Sequence, residues 1–256
     1  MKKIFSSMMV VAALGASTGV AQAADKISEQ RAIDARVVKV KLGGVINLNV
    51  KQGPTASLVL IGDKRDVARV SVSQGGETLT IDTESSGWKF GNKDRHEVRA
   101  ELTLPNLNEL ASHGVGTTDI TGFSGNEVRL SLDGAGAVKV SSSYKHIVAR
   151  LGGVGSMSLN AGNAEQVDLK LRGAGHIEVN GSAKLLRAQL GGVGSLDARK
   201  LHAEAVELEM SGLGGATVYA KTSANLKLSG LGSATVHGKP ASRSADARGL
   251  GSVSWQ

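Results

Sequence analysis

The residues that could do chemistry in this chain are numerous but poorly grouped. Six histidines stand at His96, His113, His146, His176, His202 and His237, and no two have the short spacing that metal-binding pairs use. There is no cysteine, which excludes a thiolate metal site, a cysteine nucleophile, a disulfide and an acylated lipoprotein cysteine. Eight Gly-x-Gly phrases invite comparison with a dinucleotide-binding loop. None has the further glycine three residues on, and each lies between two strand-like runs rather than opening a helix. No phosphate-loop lysine and no Gly-x-Ser-x-Gly elbow is present. Glu178 and Asp197 occupy equivalent outward places in successive repeats, a spacing open to a weak cation site or a carboxylate pair but more ordinary for a solvated face. No metal, no cofactor and no catalytic residue is expected, and the chain reads as a non-enzyme. The other set is basic: Arg129, Arg150, Lys170, Arg172, Arg187 and Lys227, with Arg248, precede the Gly-x-Gly phrases on positions facing away from the inferred core. Stacked, they would form a stripe able to follow an anionic glycan. Asp168, Glu207, Glu209 and Asp246 interrupt it, so cross-repeat ion pairs account for the same mixture.

These residues are positioned by a repeat. Gly114-Val115-Gly116 returns as Gly134-Ala135-Gly136, Gly153-Val154-Gly155, Gly173-Ala174-Gly175, Gly192-Val193-Gly194, Gly212-Leu213-Gly214, Gly230-Leu231-Gly232 and Gly249-Leu250-Gly251. The interval is 18 to 20 residues, the mark of a stacked architecture. Two residues before the first glycine, in the six phrases from Gly134 to Gly230, stand Leu132, Leu151, Leu171, Leu190, Met210 and Leu228. Four residues after it stand Val138, Met157, Ile177, Leu196, Ala216, Ala234 and Val253. Polar residues alternate with these, so each unit reads as strand, glycine corner, strand and looser turn. Identical columns running in one chain direction exclude a string of hairpins. The predicted fold is all-β: a right-handed parallel β-helix with rungs of about 19–20 residues and a less regular N-terminal β region. The residue between the two glycines, always Ala, Val or Leu, is expected to point inward and plug the bend.

The rest of the chain frames this stack. Residues 1–23 read as a signal peptide, with Lys2 and Lys3, an apolar run from Met8 to Ala16, and a small-x-small site at Ala21-Gln22-Ala23. Residues 24–110 are expected to be the N-terminal β-rich part of the solenoid and 111–256 the Gly-x-Gly β-helix. Ser85 to Arg95 is a loop whose Trp88 and Phe90 either fold back on a neighbouring strand or offer an exposed contact. No later stretch is apolar enough to span a membrane after signal cleavage. The formal charge of +7, two units of it from the leader, leans towards anionic surfaces. Export and the lack of interleaved aromatics argue against nucleic acid. Open β-stacks need caps, so either Trp255 covers the last rung or two chains associate through that end as a homodimer.

Early strands around Gly62-Asp63 and Glu77-Thr78-Leu79-Thr80-Ile81, then Leu102-Thr103-Leu104-Pro105-Asn106-Leu107, followed by Gly-x-Gly rungs, resemble the auto-transporter adhesin head family, the head GIN domain. The resemblance runs over roughly residues 33 to 256. It implies a β-helical protein of the periplasm or cell surface with an adhesin-like or scaffold role, and it brings no catalytic residues. Anionic polysaccharide or another envelope protein is the expected partner, with polysaccharide binding or processing on the basic face as the alternative reading. No translocator barrel follows Gln256 in this sequence.

Overall fold

The computed structural model describes residues 26–83 and 98–256. The leader, Trp88, Phe90 and His96 lie outside the described residues. The described chain is a single sheet of 17 strands wound into a parallel solenoid of about 7 turns, so the fold read from the repeat is the fold observed.

The N-terminal part comprises β1 (Lys26–Arg31), β2 (Lys39–Leu42), β3 (Ile46–Gln52), β4 (Ser57–Asp63), helix α1 (Lys64–Val67), β5 (Val70–Gly75), β6 (Thr78–Thr83), β7 (Val98–Leu104) and β8 (Glu109–Ser112). The repeat follows as β9 (Val115–Leu132), β10 (Ala135–Leu151), β11 (Val154–Leu171), β12 (Ala174–Leu190), β13 (Val193–Met210) and β14 (Leu213–Leu228). The last turns are β15 (Leu231–His237), β16 (Ser242–Ala247) and β17 (Ser252–Trp255).

Each repeat strand pairs in parallel with its equivalent one turn away. Ala135 faces Val154, Val154 faces Ala174, Ala174 faces Val193, and Val193 faces Leu213. Where the sequence suggests two strands per unit, β9 to β13 run continuously for 17 or 18 residues. They bend at the second corner, where the ladder is interrupted, as between Ser141 and His146. That corner absorbs the alternation between 19 and 20 residues, because the register shifts there, as between Asn160 and Asn163. Its side chains, Phe123, Tyr144, Ala161, Ala183 and Leu201, are buried.

The predicted interior columns are the core. Leu132, Leu151, Leu171, Leu190, Met210 and Leu228 are each at most 5% exposed, and Val138, Met157, Ile177, Leu196, Ala216 and Ala234 at most 3%. Ala149 and Ala188 alternate with Leu130, Leu169 and Leu208 up one column, which lets successive layers interdigitate. Each buried aliphatic side chain contributes about 1.5–3 kcal/mol relative to exposure.

The two ends are closed differently. At the N-terminal end, β2 and β3 lie beneath β8 and β9, with β6 and β7 one level further out, all parallel. The outermost pairings are antiparallel: β4 on β7, β1 on β4 and β5 on β6. Helix α1, N-capped by the Asp63 carboxylate on the Arg65 amide, connects β4 to β5 and buries Val67. At the other end every residue of β16 is exposed. Trp255 packs half-buried on the core and sits under the Arg243 guanidinium, 5.4 Å from ring centre. Trp255 is thus set against the core at this end, beside a strand that stays exposed.

Candidate functional site

The glycine corners decide which outer surfaces exist. A Cβ on Gly134 would lie 2.0 Å from the Gly114 carbonyl oxygen, on Gly153 1.9 Å from that of Gly134, and on Gly192 2.0 Å from that of Gly173. No side chain fits, so close backbone approach between rungs is the reason for these glycines. The residue between them is turned the other way, correcting the expectation that it plugs the bend. Val115 is 52% exposed, Val154 63%, Val193 58%, Leu213 48% and Leu231 56%. Val45, bridged to Val115, is 51% exposed and begins the same line. With Ala135 and Ala174 between the valines, the corner forms an unbroken apolar ridge, one residue wide, along the stack. The physical reason is parity. The buried positions lie at even offsets from the first glycine, and the residue between the glycines lies at an odd one, so alternation continued through the corner turns it to solvent.

The basic residues singled out in the sequence do not make one stripe. Arg129 and Arg187 lie on the column farthest from the corner and are neutralised there. Arg129 pairs with Glu127 on its own strand, and Arg187 donates to Glu207 on the next rung at 2.7 Å. That hydrogen bond, with the attraction of the same carboxylate, raises the guanidinium pKa further. Arg150 and Lys170 are neighbours across rungs one column nearer the corner, and Lys227 follows on that column after Gln189 and Glu209. Arg172 lies nearer still. Lys170, Arg172 and Lys227 line a shallow groove of about 550 Å³. Gln189, Glu209, Ser211, Asp246 and Arg248 share that groove. Its lysines and arginines outnumber its carboxylates. Arg248 is held by Asp246 at 3.1 Å, whereas among the described residues Arg150, Lys170, Arg172 and Lys227 make no ion pair. The mixture is therefore split, with ion pairs far from the corner and excess positive charge near it.

On the opposite flank, Glu178 and Asp197 are adjacent in register, as the spacing requires. Each has its own cation: Lys200 lies 3.9 Å from Glu178 and Arg199 3.0 Å from Asp197. Partial burial pushes the Asp197 pKa up, but the Arg199 hydrogen bonds outweigh it and hold the carboxyl below its usual range. His176 Nδ1 is 2.8 Å from Ser195 Oγ on this flank, in open surface. No group of three or more metal-ligating residues occurs among the described residues, and no described helix is long and apolar enough to cross a membrane.

A parallel β-solenoid whose outer surface repeats rung by rung defines the class by its architecture. Within it, the chain belongs to the family described as putative auto-transporter adhesin, head GIN domain, which matches residues 38–240. No curated protein is detectably similar in sequence. Among solved structures, one named a putative lipid binding protein from Parabacteroides distasonis superposes with a TM-score of 0.80 at 20% identity, over 91% of this chain and 98% of the other. A putative adhesin from Parabacteroides merdae gives 0.77 at 16% identity, over 90% and 96%. A putative adhesin from Bacteroides fragilis gives 0.68 at 22% identity, over 93% and 100%. At these identities the likeness is one of fold.

Proposed function

We propose that the protein is an exported, non-enzymatic module of the cell envelope with an adhesin-like role, holding an extended partner along its stack. The observation that supports this most is the linear outer surface, where the same kinds of position recur rung after rung beside a groove lined by Lys170, Arg172 and Lys227. A partner bound by many equivalent weak contacts needs such a track, and rigidity keeps the contacts in register. Fractionation of producing cells followed by affinity capture on the purified protein tests the reading. Enrichment in the envelope with a retained surface component is expected, and robust turnover of a cell-wall polysaccharide would overturn it.

The second reading is polysaccharide binding on the basic side, favoured by the adjacency of Arg150 and Lys170. On an array of anionic glycans, Arg150→Glu with Lys170→Glu should abolish retention, and retention unchanged by that pair removes the idea. Association of two copies through the exposed edge of β16 belongs to the same proposal, and a monomeric mass across the micromolar range eliminates it.

A further inference from the structure

We propose that the corner ridge is the edge by which the stack seats on an anionic lipid bilayer. The proposal deepens the envelope reading by giving the module its means of attachment. Side chains recur one per rung from Val45 through Val115, Val154, Val193 and Leu231 to Leu250, the last 84% exposed. Eight steps of about 4.8 Å make this line roughly 38 Å long.

Three features select a bilayer over other occupants. The first is the backbone. Lipid excludes amides that lack partners, and the amides of the six central ridge positions are served from within. The N–H groups of Val115, Ala135, Val154, Ala174, Val193 and Leu213 each donate to the preceding rung's glycine carbonyl at 2.7–3.0 Å. The corner therefore presents hydrocarbon outward while its donors stay satisfied.

The second is charge. The positions beside the ridge on its following side are Thr117, Ala137, Ser156, His176, Ser195 and Gly215, with no carboxylate among them; behind them stand Asp119, Lys139, Glu178 and Asp197, the last two carboxylates each beside a cation of its own, Lys200 and Arg199. On the preceding side stand Arg172 and Arg248 with Asp133, and behind them Arg150, Lys170 and Lys227 with Glu209 and Asp246. Asp133 lies 3.9 Å from His113 and Asp246 3.1 Å from Arg248, whereas Arg150, Lys170, Arg172 and Lys227 make no ion pair among the described residues. An apolar line whose preceding flank carries the unpaired cations Arg150, Lys170, Arg172 and Lys227 matches an interface of acyl chains beneath anionic headgroups.

The third is shape. A strip one residue wide and roughly 38 Å long offers on the order of 400 Å², about half of what each partner of a stable protein complex contributes. A second copy meeting it ridge to ridge would bury too little. A fluid surface closes around both sides of a convex edge and does not need a complementary groove.

The test uses the full exported chain and vesicles of phosphatidylethanolamine containing phosphatidylglycerol, with phosphatidylcholine vesicles for comparison. Sedimentation with the anionic vesicles is expected. It should fall at least tenfold in the variant carrying Val154→Ser, Val193→Ser, Leu213→Ser and Leu231→Ser, whose melting midpoint should hold because these side chains are exposed. Lys170→Glu with Arg172→Glu should weaken binding and flatten its salt dependence. Because the chain has no cysteine, Val193→Cys carries a single environment-sensitive fluorophore, which should shift to the blue on the anionic vesicles. Binding that survives the serine variant, or no binding to any vesicle, overturns the proposal. So does a concentration-dependent dimer that the serine variant dissolves, since the occupant is then a second copy. A serine variant that loses vesicles but still captures its envelope partner leaves the adhesin-like reading intact, which separates the two failures.

Discussion

Two apolar lines run the length of this molecule, and they have opposite fates. The column Leu151, Leu171, Leu190, Met210 and Leu228 is buried, while the column Val154, Ala174, Val193, Leu213 and Leu231 stands in solvent. Both recur with the same period, and both consist of aliphatic residues. They lie three positions apart in the chain, with the glycine whose missing Cβ lets one rung lie against the next between them. Periodicity therefore identifies a column but not its face. The face is set by phase relative to the corner, and the hydrophobic effect holds the first column while the second is tolerated by a fold whose backbone bonds are already made.

The comparison breaks most visibly in the interior. Leu169, 3% exposed between Ala149 and Ala188, has only apolar neighbours in its column, so Leu169→Asp puts an uncompensated charge into the core. No cooperative thermal transition is expected, whereas Leu169→Met should keep one. Next in size is the corner glycine. Gly192→Ala drives a methyl into the Gly173 carbonyl and should cost about 3 kcal/mol, read from the shift in a urea melt. Gly75→Ala provides the control. Nothing lies within 4 Å of its Cβ position, and the change should be neutral or stabilise by up to about 1 kcal/mol through the unfolded chain.

The sequence carried the architecture of the repeat, because a solenoid writes its register directly into the spacing of Gly134, Gly153, Gly173 and Gly192. It carried the interior columns for the same reason. The site was only half legible. The adjacency of Arg150 and Lys170 follows from the register, yet the pairing of Arg129 with Glu127 depends on two neighbours of one strand choosing each other, which column assignment does not decide. The ridge was present as parity, since Val193 falls one step out of phase with Leu190 and Leu196. Hydrophobicity suggested burial there, and phase was the better guide. The antiparallel cap of β1, β4 and β5 left a weaker trace, because alternation in Leu58 to Ile61 marks a strand without marking its direction.

Tyr144 offers a smaller and more specific probe of the second corner. It is buried there, and its hydroxyl donates to the Leu107 carbonyl. Burial pushes the phenol from its ordinary value near 10 up to about 12. The folded state thus retains a proton that the unfolded chain releases first, so this residue's contribution is intact below pH 10 and is lost progressively between about pH 10 and 12. Stability measured across that window should fall less steeply in Tyr144→Phe than in the parent chain. Equal slopes would mean that the corner opens to water before the phenol ionises.

The smallest expected effect is the most discriminating. Val193→Ser alters a side chain that is 58% exposed, next to the glycine whose substitution should be among the costliest at the surface. Its amide still donates to Gly173 at 3.0 Å, and that bond does not depend on the side chain. The melting midpoint should therefore move by less than the equivalent of about 0.5 kcal/mol, while Leu190→Ser, three residues earlier and 5% exposed, should lose several. A large loss in Val193→Ser would mean that the ridge valines support one another across rungs strongly enough to hold the stack. The exposed column would then be part of the fold's stability, and its phase would no longer distinguish it from the interior.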